Sequence, residues 1–148
     1  MSAKEVAHLL LDVIAKGGNL ALNIAAQPDG RLPGRALREL NILSPWINRF
    51  SDAIYGTRAA APYRDGKYAY TASKDGKTVN VFYLYGDGER RAPEYTFTIY
   101  GRAVSAVDLG SGAELSFVQK DDMITVSLPQ RLVGIDGDIA DCIRVSVE

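Results

Sequence analysis

The spacing of apolar residues changes once along this chain, near Thr57, and that change limits the folds open to it more than any other feature. Before it, Val6, Leu9, Leu10, Val13 and Ile14 recur at intervals of three and four, the pattern of a helix with one buried face, and Gly17-Gly18 supplies its stop. Asn19 to Ala25 reads NLALNIA. This short, mostly apolar run is bounded by Gly-Gly and by Pro28-Asp29-Gly30, and it predicts a strand covered on both faces, as in a parallel sheet. Pro33 suits the first turn of a second helix, in which Leu37, Leu40, Leu43, Ile47, Phe50 and Ile54 form the stripe and Gly56 the end. Pro45 inside that stripe removes a backbone donor, so a kink or a break into two helices is expected between Leu43 and Trp46.

Beyond Thr57 the period is two. Lys67 to Ser73, Thr78 to Tyr85, Glu94 to Tyr100, Ala103 to Leu109, Glu114 to Gln119, Met123 to Leu128 and Cys142 to Val147 read as strands. Asp75-Gly76 marks a hairpin, because the primed turns that match twisted strands need positive φ. About seven short strands with no helix between them predict an antiparallel two-sheet sandwich. The fold class expected is therefore α+β. One strand with two helices cannot complete an α/β layer, so residues 1–58 are expected to be cut from a larger layer and residues 59–148 to form the sandwich domain.

The chain is of globular composition, 47% hydrophobic and 24% charged over 148 residues, which excludes disordered and fibrous classes. Its net charge is −1. The densest basic stretch, Arg31, Arg35 and Arg38, has the spacing of a solvated helix face, so no nucleic-acid partner is expected. Val6 to Ile14 is interrupted by His8 and Asp12 and is far shorter than the roughly 20 residues of a membrane span. It also lacks a secretory cleavage pattern, so no membrane partner is expected. A single cysteine, Cys142, permits no internal disulfide.

Each residue able to carry chemistry has a structural alternative that the sequence favours. Asp29 in Pro-Asp-Gly is expected to bond local backbone amides. Asp121-Asp122 reads as a turn. Asp136, Asp138 and Asp141 lack the remainder of a calcium loop. His8, the only histidine, lies between Ala7 and Leu9 on a helix and is expected to be packed or solvated. Cys142 is expected to be a small buried residue. Gly17-Gly18 belongs to no phosphate-binding fingerprint. Tyr63, Tyr68, Tyr70, Phe82, Tyr83, Tyr85, Tyr95, Phe97 and Tyr100 crowd the early sandwich, where a core or interface role is favoured over a sugar-stacking platform. No catalytic or metal-binding residue is assigned, and no cofactor is expected.

LLLDVIAKGGNLALNIAAQPDGRLP (Leu9 to Pro33), then DAIYGTR (Asp52 to Arg58), closely resembles the end of the barrel in glycoside hydrolase family 29 α-L-fucosidases. VSAVDLGSGAELSFVQKDDMITVSLP (Val104 to Pro129) is similar to that family's sandwich. The resemblance implies that residues 1–58 are a helix-strand-helix remnant of a (β/α)8 barrel and residues 59–148 its C-terminal β-sandwich. It departs from the family at Ala25-Ala26, where Gly-Pro is usual, and at Phe50-Ser51-Asp52, where Asn-Gly-Glu is usual. The first departure falls at the C-terminal end of the last barrel strand, the edge on which barrel enzymes build their sites, and no substrate-binding residue is assigned there.

The resemblance also implies retaining hydrolysis of α-L-fucosides in the parent enzyme, which needs two carboxyl groups about 5 Å apart. In the family, the nucleophilic Asp and the fucose-binding residues come from barrel strands that would precede Met1. The expectation is thus an accessory C-terminal piece, inactive alone, whose parent acts on a fucosylated glycan. The alternative is a free-standing carbohydrate-binding or protein-interaction module. Such families are often secreted, periplasmic or lysosomal, which leaves the location of this chain open. Leu20, Leu22 and Ile24 are expected to be covered by another copy of the chain or by a packing other than a barrel, so a homo-oligomer is anticipated.

Overall fold

Ser2 begins the first helix by accepting the Glu5 N–H at 3.1 Å, while the Glu5 carboxylate takes the Ser2 N–H at 3.2 Å; this reciprocal box satisfies two donors that the helix cannot. Helix α1 spans Ala3–Ala15 and ends where Gly17, at φ +84°, lets its N–H and that of Gly18 close on Ile14 and Val13. The computed structural model describes the whole chain, Met1–Glu148. Helix α2 is Gly34–Arg49 and α3 a single turn, Ser51–Ile54.

The strands are β1 (Arg58–Asp65), β2 (Tyr68–Ala72), β3 (Thr78–Leu84), β4 (Glu94–Thr98), β5 (Ala103–Asp108), β6 (Ala113–Glu114), β7 (Ser116–Lys120), β8 (Met123–Ser127) and β9 (Ala140–Val147). They form a six-stranded sheet ordered β1-β2-β3-β9-β5-β6 and a three-stranded sheet ordered β4-β8-β7. Every pairing is antiparallel. The hairpin expected at Asp75-Gly76 joins β2 to β3, with Gly76 at φ +73°.

Alternation along the large sheet sends its side chains into two cores. Ala69, Phe82, Leu84, Ala140 and Cys142 face the helices, where they meet Val6, Ala7, Leu11, Trp46, Phe50 and Ala53. Tyr70, Val81, Ile143 and Val145 face the small sheet and pack on Phe97, Ile124 and Val126. The molecule is therefore three layers: helices, six-stranded sheet, three-stranded sheet. Trp46 anchors the helical layer, its indole N–H donating to the Ala140 carbonyl at 3.0 Å and its ring centroid lying 5.5 Å from Phe50 and 6.3 Å from Phe82. A polar chain fixes α3 to the same sheet: Arg144 Nε donates to Asn80 Oδ1, Asn80 Nδ2 to Thr71 Oγ1, and Thr71 Oγ1 to the Ala53 carbonyl.

Five features depart from the sequence expectations. Asn19–Ala25 is not a strand; residues 19–26 form no regular structure and make no backbone hydrogen bond. A parallel strand exists only beside neighbours that take its N–H and C=O groups, and both sheets of this chain are built from Arg58 onward. Helix α2 runs unbroken through Pro45, because Pro45 and Asn41, whose carbonyl loses its donor, are both on the exposed side; the chain instead breaks at Phe50.

On α1 the buried stripe is Ala3, Val6, Ala7, Leu11 and Ala15, and Leu9 is exposed. Three alanines in that stripe let the helix approach the sheet closely. Strand β1 carries a Pro and lies at the sheet edge, where a missing N–H costs no ladder bond. The strand expected over Glu114 to Gln119 is split at buried Leu115: β6 pairs with β5 in the large sheet, and β7 pairs with β8 in the small one.

Candidate functional site

The most heavily built polar cluster lies where the loop before β4 meets the ends of β5 and β9. Arg91, 8% exposed, sends Nη2 and Nη1 to the two oxygens of Asp108 at 2.8 and 3.4 Å. Asp108 is 1% exposed and also accepts the Ser111 hydroxyl. Arg91 Nε sits 3.3 Å from Asp141 Oδ2 without the alignment of a hydrogen bond. That Asp141 oxygen instead accepts the Tyr85 hydroxyl at 2.7 Å. Burial and then the Asp141 carboxylate push the Tyr85 phenol far above its ordinary range. Burial opposes the charge on Arg91, but its hydrogen bonds to Asp108 outweigh that and raise it. Gly137 is required beside this cluster, since a Cβ there would lie 2.4 Å from the Tyr85 ring.

This cluster is a structural clasp. Its backbone is tied as tightly as its side chains: the Arg91 N–H donates to Ile135 O, and the Gly134 N–H donates to Arg91 O, both at 2.8 Å. The sequence carries no signal for Arg91, because Glu89-Arg90-Arg91 lies between strands, where no periodicity tells one arginine from its neighbour. Arg90 is exposed and pairs loosely with Asp136 at 3.5 Å.

The residues weighed for chemistry are dispersed over the molecule. Asp29 accepts the Arg31 N–H at 3.0 Å, the local turn bond expected of it. Asp121 sits at φ +55° in the β7–β8 turn. Asp136 binds Arg90, whereas Asp141 binds Tyr85, so these two carboxylates do not converge. His8 Nε2 lies 2.7 Å from the Ile139 carbonyl, which joins α1 to the residue preceding β9 and makes Nε2 the protonated nitrogen. Cys142 is fully buried, and burial pushes its thiol up. Among the aromatics, Tyr70, Phe82, Tyr85, Tyr95 and Phe97 are core, Tyr68 and Tyr83 are half-buried, and Tyr63 and Tyr100 are exposed.

A glycosidase acid must hold its proton near neutral pH, which demands a raised pKa. The carboxyl shifts resolved in this chain run the other way. Lys16 and Arg64 hold Asp12 below the usual range. The Ser73 hydroxyl and the Lys77 N–H do the same for Asp75. Burial pulls Glu89 up, but Lys67, the Tyr83 hydroxyl and the Gly86 N–H together bring it down to about 2. These are committed anions.

The surface carries several recesses, one apolar and one polar among them. A groove of about 430 Å³ lies between the start of α1, α2 and the irregular segment 19–26, lined by Met1, Val6, Leu22, Ile24, Ala36, Leu40 and Leu43. Its one carboxylate, Glu39, accepts the Ala3 N–H at 2.6 Å. A polar recess of about 490 Å³ is lined by Asp52, Thr57, Ser73, Asp75, Asn80 and Arg144. Asn80 and Ser73 there are already engaged in the Arg144 chain and the β2–β3 turn.

Comparison with known proteins points in one direction. Residues 1–52 match the α-L-fucosidase family model. An α-L-fucosidase of Branchiostoma floridae is 29% identical over 108 residues, which cover 67% of this chain and 24% of that protein. Thermotoga maritima α-fucosidase superimposes on 98% of this chain with a TM-score of 0.81 at 25% identity, using 34% of its own length. The α-L-fucosidase isoenzyme 1 of Paenibacillus thiaminolyticus covers 100% of this chain with a TM-score of 0.80 at 25% identity, using 35% of its own length. The chain thus spans about a quarter to a third of the length of these relatives.

Proposed function

We propose, from the premise that this chain corresponds in sequence and fold to the C-terminal region of family 29 α-L-fucosidases, that it is the non-catalytic end of a fucoside-cleaving hydrolase. Its task is to brace the remainder of the enzyme. Cleavage of the fucosylated glycan itself is assigned to residues outside Met1–Glu148. The observation that carries this reading is the match of nearly the entire chain, helices and both sheets together, to about a third of the length of solved fucosidases. A division near residue 58 belongs to the same proposal, with 1–58 as the last barrel units and 59–148 as the sandwich.

Physical chemistry supports the non-catalytic part. Retention requires a nucleophile and an acid/base about 5 Å apart, one of them protonated at working pH. Here Asp12, Asp75 and Glu89 are held as anions by cations, hydroxyls and amides, while Asp108 is clamped by Arg91. The aromatic residues that could stack on a sugar are largely consumed by the core.

The purified chain incubated with an aryl α-L-fucoside is the direct test. Release of the aryl group at the rate of buffer alone is expected. Turnover above that rate, abolished by heat denaturation of the chain, would overturn the proposal. Calorimetric titration with fucose should show no saturable heat; saturable binding would instead identify a carbohydrate-binding module.

A further inference from the structure

Strand β8 alternates between two faces. Ile124 and Val126 point into the core between the sheets, so Met123, Thr125 and Ser127 point outward, away from the six-stranded sheet and the helices. Met123 is 46% exposed there. The register places a donor on each side of it: across the β4–β8 pair it stands opposite Thr98, and across β7–β8 opposite Lys120. Residues facing one another on neighbouring strands have Cβ atoms about 5 Å apart. The Thr98 hydroxyl donates to Met123 Sδ at 3.5 Å. Lys120 is exposed and belongs to none of the chain's ion pairs. A thioether is a weak acceptor, so the reduced side chain makes little use of these donors.

One added oxygen changes that. A sulfoxide is polar and chiral, and its oxygen accepts hydrogen bonds far better than sulfur does. The Thr98 hydroxyl occupies one sulfur lone pair and leaves the other, on the β7 side, open to an electrophilic oxygen. When that lone pair attacks a peroxide, the S–O bond forms as the O–O bond breaks. The departing hydroxide then takes the proton left on the transferred oxygen and becomes water. Sulfur is oxidised by two electrons and the peroxide is reduced by two. The new oxygen faces Lys120, whose ammonium supplies the donor. Methionine oxidation disrupts a core when it places this polar group inside, whereas here the inward residues Ile124 and Val126 are untouched.

We propose that Met123 is a site of stereoselective oxidation by peroxides, with Thr98 selecting the sulfur lone pair and Lys120 holding the sulfoxide oxygen, so that the chain consumes oxidant without losing its fold. The site lies wholly in β4, β7 and β8. It does not rest on the fucosidase reading, so the fucoside assay and the test below can fail separately.

The test treats the purified chain with hydrogen peroxide and follows the peptide bearing Met123 by mass spectrometry, before and after incubation with each of the two methionine sulfoxide reductases, which accept opposite epimers. One reductase should remove the oxygen from most of the Met123 sulfoxide, whereas N-acetylmethionine amide oxidised alongside should be divided evenly between the two. The isosteric Thr98→Val should abolish the excess of one epimer. Oxidation of the wild-type chain should leave its far-UV circular dichroism spectrum and melting temperature unchanged, while oxidised Lys120→Ala should melt below its own reduced form. A Met123 that peroxide leaves unmodified, an even division of epimers, or an excess that survives Thr98→Val would overturn the proposal. So would unfolding of the oxidised wild-type chain, or an oxidised Lys120→Ala as stable as its reduced form.

Discussion

Arg91 illustrates how one residue can organise a region that has no regular structure of its own. Its guanidinium is forked onto Asp108, and its backbone is stitched to the loop at Ile135 and Gly134. Removing one member of a buried ion pair leaves the other desolvated and alone, a loss of about 3–5 kcal/mol. Arg91→Met should therefore lower the unfolding free energy by about that amount, read as a fall in the urea midpoint, since Asp108 would keep only the Ser111 hydroxyl among its side-chain partners. Adding Asp108→Leu should restore part of the loss, because two apolar side chains leave no orphaned charge. An unchanged midpoint for the single variant would mean that water already reaches the pair.

Among the elements, α2 and the segment before it show opposite outcomes of local signals. Pro45 predicts a break, yet the helix continues because Pro45 and Asn41, whose carbonyl it deprives, both lie on the exposed side of α2. The proline still costs a hydrogen bond and crowds the preceding turn. Pro45→Ala should accordingly stabilise the chain by about 1–3 kcal/mol, measured as a rise in the urea midpoint, with Trp46 fluorescence reporting that the Phe50–Phe82 cluster is intact. A fall would show that the proline's rigidity in the unfolded chain matters more than its cost in the helix. Asn19–Ala25 errs the other way. Its composition suits a strand, but a strand is a relation between neighbours, and this chain gives the segment none.

At the scale of the whole molecule, the six-stranded sheet is shared by two cores, so the helical layer and the small sheet depend on the same strands. Acid should loosen this unit in a defined window. Glu89 falls from an ordinary value of 4.5 to about 2 on folding, and Asp12 and Asp75 also move down. For a depressed carboxyl, the unfolded chain takes up the proton first, so the stabilisation is complete above the unfolded pKa and is lost as pH falls through the folded one. The melting temperature should thus be level above about pH 5 and fall toward pH 2, and Glu89→Gln should flatten that fall; an equally steep fall in the variant would remove Glu89 from the account. What the sequence determined by itself was periodicity. The helices at Val6 and Leu37, the Asp75-Gly76 hairpin and the alternating strands were legible because such patterns are local. The family motifs and the local role of Asp29 were legible for the same reason. Only the tertiary structure decided which arginine of Arg90-Arg91 turns inward, that α1 buries its alanines in place of Leu9, and that Leu115 divides one strand between two sheets. It also decided that Asn19–Ala25 stays unpaired. Each of these depends on what lies opposite in space, and residues distant in the chain supply that.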